Sequence, residues 1–200
     1  METKRIALTG GIACGKSTFA GMLADLGCEV LDTDALVHDL ESPGGGAVAR
    51  IVAAFGPAAQ MADGSIDRGW LARQVFGDAA ARARLNAIVH PLVREAMDRW
   101  LRAPAAGNGI KVVVVPLLFE AGWTNDWDVI VCVVCREDEQ LRRLRERDLN
   151  EMEARARIAA QMPLPEKARR ADLVIHNDGV MVDLRAAARR LVAASMKEQL

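Results

Sequence analysis

Gly10-Gly11-Ile12-Ala13-Cys14-Gly15-Lys16-Ser17 is the stretch on which the reading of this chain turns. It matches G-x-x-x-x-G-K-[ST] in the required context: an apolar, β-rich segment at 5–9 precedes it and a helical pattern at 17–26 follows. Gly27 stands where a residue past a helix C-cap would be. Gly10 and Gly15 let the backbone turn so that successive N–H groups point inward at phosphate oxygens, and the next helix offers its positive end to the same anion. The expected cradle is therefore Gly11, Ile12, Ala13, Cys14 and Gly15, with Thr18 beside it in the first helical turn. Lys16 is expected to reach the β- and γ-phosphates, and the Ser17 hydroxyl to ligate Mg²⁺. ATP and Mg²⁺ follow as the expected cofactors.

Working outward, three further apolar segments resemble strands: 111–115 before Pro116, 129–134, and a weaker one at 172–176 stopped by Asn177-Asp178-Gly179. Val30 and Leu31 form a shorter candidate. Continuous apolar runs of this length suit parallel strands buried on both faces. Helical patterns lie between them at Arg68–Val75, 79–89, 93–101, 136–147, 151–161 and 182–200. The alternation predicts an α/β fold with a mainly parallel central sheet flanked by helices. Residues 35–109 show helices and no clear strand, and read as a helical substrate-binding insertion. Residues 136–170 read as a helical lid, which leaves 1–34, 110–135 and 171–200 as the nucleotide-binding core of a single domain. Gly44-Gly45-Gly46 reads as a surface turn, and 103–109 as a linker back to the sheet.

Composition bounds the partners. The 200 residues carry a formal net charge of −1 with 51% hydrophobic residues, so nothing global draws the chain to nucleic acid or anionic lipid, and local basic groups must attract any anionic substrate. The longest strongly apolar run, 112–119, is broken by Pro116 and is far too short to span a bilayer. Lys4 and Arg5 run straight into the glycine-rich loop, which does not read as a signal peptide. A cytoplasmic monomer or weak homo-oligomer is expected. Cys132 and Cys135 form a C-x-x-C, but no second pair completes a metal site, so all four cysteines read as small core thiols.

Three groups of residues bear on chemistry. Asp32-Thr33-Asp34 follows the short segment at Val30 and Leu31, and strand alternation would put both carboxylates on one side of a strand end. Phosphoryl transfer to an alcohol needs a carboxylate that orients the hydroxyl and accepts its proton. The other reading is an Asx turn with Asp34 capping a helix over 35–40, and the residues alone weigh the two equally. The second group is Arg136, Arg142, Arg143, Arg145 and Arg147, the most basic stretch. A helix would put Arg143 and Arg147 on one face, where lid arginines close over phosphates, or else leave them as solvated partners of Glu139, Glu146 and Asp148. In the third group, His90-Pro91-Leu92-Val93-Arg94, Pro91 suits the first turn of a helix, His90 reads as a cap or core residue and Arg94 as a surface cation.

No Asn-Lys-x-Asp element marks a guanine-specific switch, and the strand at 111–115 runs into Pro-Leu-Leu-Phe-Glu rather than Asp-Glu, which weakens a motor ATPase. Small-molecule kinases remain, of shikimate or nucleoside monophosphate for example, as does a nucleotide-binding regulator without transfer activity.

Along nearly its whole length the sequence resembles the dephospho-CoA kinase family. The ordered matches are Leu8-Thr9-Gly10-Gly11-Ile12 running into Gly15-Lys16-Ser17, Asp32 with Asp34, Phe55-Gly56, Ile66-Asp67-Arg68, Val75-Phe76, His90-Pro91 with Arg94, Pro116-Leu117-Leu118-Phe119-Glu120, Arg147-Asp148, Gln161-Met162-Pro163 with Lys167, and Ala171-Asp172 through Asn177. The resemblance implies a P-loop kinase fold and transfer of the ATP γ-phosphate to the ribose 3′-hydroxyl of dephospho-CoA. It implies Asp34 as general base with Asp32 beside it, and substrate contacts from the helical insertion, His90, Arg94, Leu117, Leu118 and Glu120. Lys16 and Arg143 would stabilise the transferring phosphoryl, Arg147 and Asn177 would join the nucleotide contacts, and Lys167 would be a lid candidate. The chain departs from the family at Ala13 and Cys14, where Gly-Ser is usual. Binding is expected to survive, provided Ala13 need not adopt a positive φ. His38 stands where a basic residue, often Arg, is usual.

Overall fold

Strand β1, Lys4–Gly10, is the middle strand of the sheet, and after the partly exposed Lys4 and Arg5 its residues Ile6, Ala7, Leu8 and Thr9 are fully buried. The computed structural model describes residues 3–179 and 181–197. Beside β1 lie β2 (Glu29–Asp32), β3 (Ile110–Val114), β4 (Val129–Val134) and β5 (Leu173–His176), all parallel, in the order β2-β3-β1-β4-β5. The β1 register pairs Leu8 with Val114 on one side and with Val131 on the other. From β1 the chain first fills the β3 side and later crosses to β4, so the topological switch lies between β1 and β4.

Side chains alternate across this sheet. Ile6, Leu8, Val112, Val114, Val131, Val133 and Ile175 join one core cluster with Phe19 and Leu23 of α1 (Lys16–Asp25) and with Leu184 and Leu191, which lie late in the chain. Each such aliphatic, fully buried, contributes roughly 1.5–3 kcal/mol of transfer free energy, which is why β-rich runs this short suffice. Helix α1 ends as its sequence requires: Gly27 takes φ 87°, its N–H donates to Ala24, and the Cys28 N–H reaches back to Leu23 at 3.1 Å, closing a Schellman turn.

The chain divides into two compact units, one comprising 1–32 with Pro104–Leu200 and the other Thr33–Ala103. The stretch after Ala103, read from sequence as linker, belongs with the sheet, since Asn108 donates through Nδ2 to the Leu26 carbonyl at 3.1 Å.

The Thr33–Ala103 unit is helical, with α2 (Thr33–Glu41), α3 (Val48–Phe55), α4 (Arg68–Val75) and α5 (Ala79–Arg102). The two helices expected at 79–89 and 93–101 are one: α5 runs through Pro91 without a break. Val89, Val93, Met97 and Leu101 are buried at four-residue intervals on both sides of the proline. Pro91 and Ala87, whose carbonyl loses its usual donor, are exposed, so that carbonyl is not left in the core and the packed stripe outweighs the proline. Helix α3 was not legible as a separate element.

In the sheet unit, α6 (Glu137–Arg145), α7 (Glu151–Ala159), α8 (Leu164–Arg170) and α9 (Met181–Lys197) complete the fold. Helix α7 starts at a reciprocal capping box between Asn150 and Glu153. Helix α8, missed from sequence because it is short and polar, is held by Lys167, whose buried ammonium donates to the Pro116 carbonyl at 2.9 Å and pairs with Glu120 at 2.8 Å. Among the described residues, no helix is long and apolar enough to cross a membrane.

Candidate active site

The loop between β1 and α1 has the backbone its sequence demands. Gly10 takes φ 144°, and a Cβ there would run into the Val133 carbonyl of β4. Gly15 takes φ 92° as the residue preceding α1, and a Cβ there would collide with the Asn177 amide. Gly11 is confined as well, since a Cβ would lie 2.7 Å from Gln140 Nε2 and 2.9 Å from Cys14 Sγ. Ala13, with φ 59°, does adopt the left-handed conformation. A non-glycine residue there carries a cost of roughly 1–2 kcal/mol. Its methyl, packed with Leu141, Leu144 and Ala154, offsets part of that.

Side chains from distant elements fasten the loop. Arg143 of α6 donates to the Ala13 carbonyl at 3.1 Å and to the Asn177 carbonyl at 3.0 Å, and its Nε lies 3.4 Å from Glu139. Asn177, at the end of β5 and 6% exposed, donates to the Cys14 carbonyl at 2.8 Å. Gln140 donates to the Ile12 carbonyl at 2.7 Å, and Gln161 accepts the Ile12 N–H at 3.0 Å. Lys16 lies over the loop, its Nζ donating to Gly11 at 2.8 Å and to Gly10 at 3.2 Å. Ser17 and Thr18 are exposed on the first turn of α1.

These contacts correct several expectations. Ile12 does not turn its amide to the cradle, because Gln161 takes that proton. The Cys14 amide is likewise engaged, by Gly11 at 3.3 Å. Gln140 and Gln161 were not assigned a role from sequence; only the family pattern at Gln161-Met162-Pro163 marked one of them. Helix α6 ends at Arg145 and Asp148 takes φ 62°, so exposed Arg147 lies beyond the helix and does not share its face with Arg143. Arg142 spends its charge on Glu139 at 3.0 Å and on Glu146, while Arg136 pairs with Asp138 at 3.1 Å. Lys167 is not a lid cation but a buried tie. Leu118 is fully buried, so it is core, whereas Leu117 is exposed. Burial opposes the charge on Glu120, but the Lys167 ammonium and the Met162 amide, 2.9 Å away, outweigh it and hold the carboxyl below its ordinary value.

A groove of about 850 Å³ opens beside the loop's supports, lined among others by Cys135, Arg136, Gln140, Gln161, His176 and Asp178. All four cysteines are buried, as the composition suggested, but Cys14 and Cys135 are not merely core: their sulfurs lie 3.3 Å apart.

Asp32 closes β2, and Asp34 is the second residue of α2, so strand alternation does not relate the two carboxylates. Nor is Asp34 a cap, since the helix already includes Thr33. Asp34 is exposed in the first turn of α2. Within the same helical unit His38 lies 3.4 Å from Arg68, which pairs with Glu41 at 3.0 Å. Burial raises the Glu41 pKa, against the pull of Arg68 and His38. His90 is half-buried, and burial lowers its pKa, keeping the ring neutral over a wider range. Arg94 pairs with Asp98 at 3.0 Å.

A parallel sheet in this order, with a glycine loop at its switch point running into a Lys-Ser helix start, defines the P-loop kinase class. The family model described as dephospho-CoA kinase matches residues 4–183. A dephospho-CoA kinase of Geobacillus kaustophilus (strain HTA426) is 47% identical over 98% of this chain and 96% of its own length. One of Anaeromyxobacter dehalogenans (strain 2CP-C) is 46% identical over 94% and 90%. The chain belongs to the dephospho-CoA kinase family, and is thus an ATP-dependent kinase with a hydroxyl acceptor. Among solved structures, a Thermus thermophilus protein superposes with a TM-score of 0.82 at 36% identity, covering 97% of this chain and 98% of the other. A shikimate kinase of Acinetobacter baumannii, at TM-score 0.54 and 17% identity over 99% and 96% of the two chains, shares the fold alone.

Proposed function

We propose that the loop from Gly10 to Ser17 holds the phosphates of ATP while Asp34 receives the proton of the ribose 3′-hydroxyl of dephospho-CoA, giving coenzyme A. The observation that carries the donor half is the convergence of Lys16, Arg143 and Asn177 on one loop. A phosphoryl group in flight demands little covalent help and much fixed positive charge, and a loop fastened from α6 and from the end of β5 supplies it without reorganising. The amides of Ala13 and Gly15 and the start of α1 complete the cradle, with Arg147 available from beyond α6 when nucleotide is bound. Lys16, now over two loop carbonyls, would exchange them for phosphate oxygens.

Mg²⁺ fits this donor set, because the exposed Ser17 hydroxyl is a hard oxygen ligand and Mg²⁺ takes the rest of its shell from phosphate and water. When bound it would neutralise charge on the phosphates. On the acceptor side, as the 3′-oxygen bonds to the γ-phosphorus, its proton passes to the Asp34 carboxylate and the bond to the β-γ bridging oxygen breaks, releasing ADP. Asp32, His90, Arg94, Leu117 and Glu120 are the proposed acceptor contacts; neutral His90 suits a hydrogen bond rather than a charge. A cytoplasmic enzyme, monomeric or weakly self-associating, is part of the proposal, and the near-balanced net charge gives the chain no general pull toward nucleic acid or anionic lipid.

The test is ADP release by purified protein with ATP and Mg²⁺, with and without dephospho-CoA, alongside mass spectrometry of the product. Strong stimulation with one phosphoryl group added to the ribose is expected. Tight ATP binding with no transfer to dephospho-CoA would contradict the assignment.

A further inference from the structure

We propose that Cys14 and Cys135 form a reversible oxidation site: a peroxide joins the phosphate loop to the end of β4 through a disulfide and thereby weakens nucleotide binding. The second half rests on the reading of the loop as the cradle for ATP phosphates. The two sulfurs are 3.3 Å apart, already in hydrogen-bond contact, although the residues are 121 apart in sequence. Cys14 is fully enclosed, whereas Cys135 is 8% exposed and lines the groove that opens past Arg136 and Gln140. A small oxidant therefore arrives at Cys135. The hydrogen bond from Cys135, against the cost of burial and with help from the Lys16 charge, holds the Cys14 thiol below its ordinary pKa. The same hydrogen bond and burial push Cys135 up. At rest the shared proton thus sits on Cys135; Cys14, as the thiolate, is the base that takes this proton when Cys135 reacts, and afterwards the sulfur that closes the disulfide.

The chemistry balances with hydrogen peroxide as oxidant. The Cys135 sulfur attacks the peroxide O–O bond and passes its proton to Cys14; Cys135 becomes a sulfenic acid, and the departing hydroxide takes the proton from Cys14 as water. The Cys14 thiolate then attacks Cys135 Sγ, forming the S–S bond and expelling hydroxide. The thiols lose two electrons and the peroxide gains them.

A disulfide requires a sulfur separation of about 2.05 Å, so the pair must close by more than an ångström. Closing that gap pulls Cys14 against a backbone whose carbonyls on either side are held by Asn177 and Arg143, so the new bond strains the loop between Gly11 and Gly15. Cradle amides work only at fixed positions, and a misplacement of about an ångström commonly costs on the order of a hundredfold.

The experiment treats reduced protein with hydrogen peroxide, blocks remaining thiols with iodoacetamide, maps peptides by mass spectrometry and measures ATP affinity by calorimetry, before and after dithiothreitol. Expected are a Cys14–Cys135 cross-linked peptide, a loss of ATP affinity on the order of tenfold or more, and recovery of both in dithiothreitol. Cys135→Ser, with Cys135→Ala as a second variant against a folding defect, should keep the affinity of the reduced protein throughout. Both thiols remaining open to alkylation, a cross-link that leaves ATP affinity unchanged, or the same reversible loss in both variants would overturn the proposal. Failure of the reduced protein to bind ATP at all would instead overturn the reading of the loop, and the cross-link would still be judged by mass.

Discussion

The phosphate loop and the Thr33–Ala103 unit hold their candidate residues in opposite ways. Around the loop, buried or half-buried side chains from α6, from the end of β5 and from the residues after α7 reach backbone carbonyls and amides, so the loop's main chain is fixed by side chains distant in sequence. In the helical unit, Asp34 is exposed, and Arg94 and Arg68 are engaged by carboxylates of their own unit. The donor side is thus rigid before nucleotide arrives, as electrostatic catalysis requires. The proposed acceptor contacts are side chains, and binding of substrate would ask Arg94 to exchange Asp98 for a new partner. On the proposed reading, donor chemistry rests on backbone geometry and acceptor chemistry on replaceable side-chain pairs.

If that contrast is right, damage to the loop should be severe and damage around it graded. Lys16→Met is expected to have the largest effect of these variants, lowering kcat/KM on the order of a thousandfold with the melting temperature nearly unchanged, as read by steady-state kinetics and calorimetry. A loss under tenfold would remove Lys16 from the transfer step. Arg143→Lys keeps the charge but not the two-pronged grip on Ala13 and Asn177, so ATP affinity should fall about tenfold. An unchanged affinity would mean that the loop does not depend on α6.

Glu120 sharpens the comparison through pH. Its folded carboxyl is held below the ordinary value of 4.5, so the contribution of its pairing with Lys167 is complete above that pH and disappears as the pH falls through the lowered folded value. The melting temperature of Glu120→Gln should therefore fall less steeply with acid than that of wild type; parallel curves would remove this pair from the acid sensitivity. The smallest effect belongs to Ala13→Gly. Relief of the left-handed alanine, worth roughly 1–2 kcal/mol, is set against a lost buried methyl of about 0.8 and added unfolded-state freedom of about 0.4–1 kcal/mol. Denaturant unfolding should show a net change within about 1 kcal/mol of zero. A larger loss would mean that packing, not backbone strain, governs the residue.

The donor half was legible because its constraints are local. Gly10, Gly15, Lys16 and Ser17 announce themselves by spacing, and continuous apolar runs announce the parallel strands. What was not legible depends on contacts between distant residues. Gln140 and Gln161 carry no local mark of their bonds to Ile12, and nothing near Cys14 shows that Cys135 will lie against it. Lys167, a lid candidate by the family resemblance, carries no local mark of its burial against Pro116 and Glu120. Pro91 misled for the converse reason: a local breaking signal was outweighed by a stripe of buried apolar residues that only packing reveals. For Asp34 the residues supported two readings, and it took the start of α2 at Thr33 to remove the cap.

The division of labour between loop and acceptor carboxylate is tested most directly by Asp34→Asn, with ATP affinity measured by calorimetry and single-turnover transfer to dephospho-CoA measured by quench-flow. Affinity within about twofold of wild type, with transfer slowed roughly 10²–10⁴-fold, is the predicted result. Transfer near the wild-type rate would contradict the account and leave the proton acceptor elsewhere.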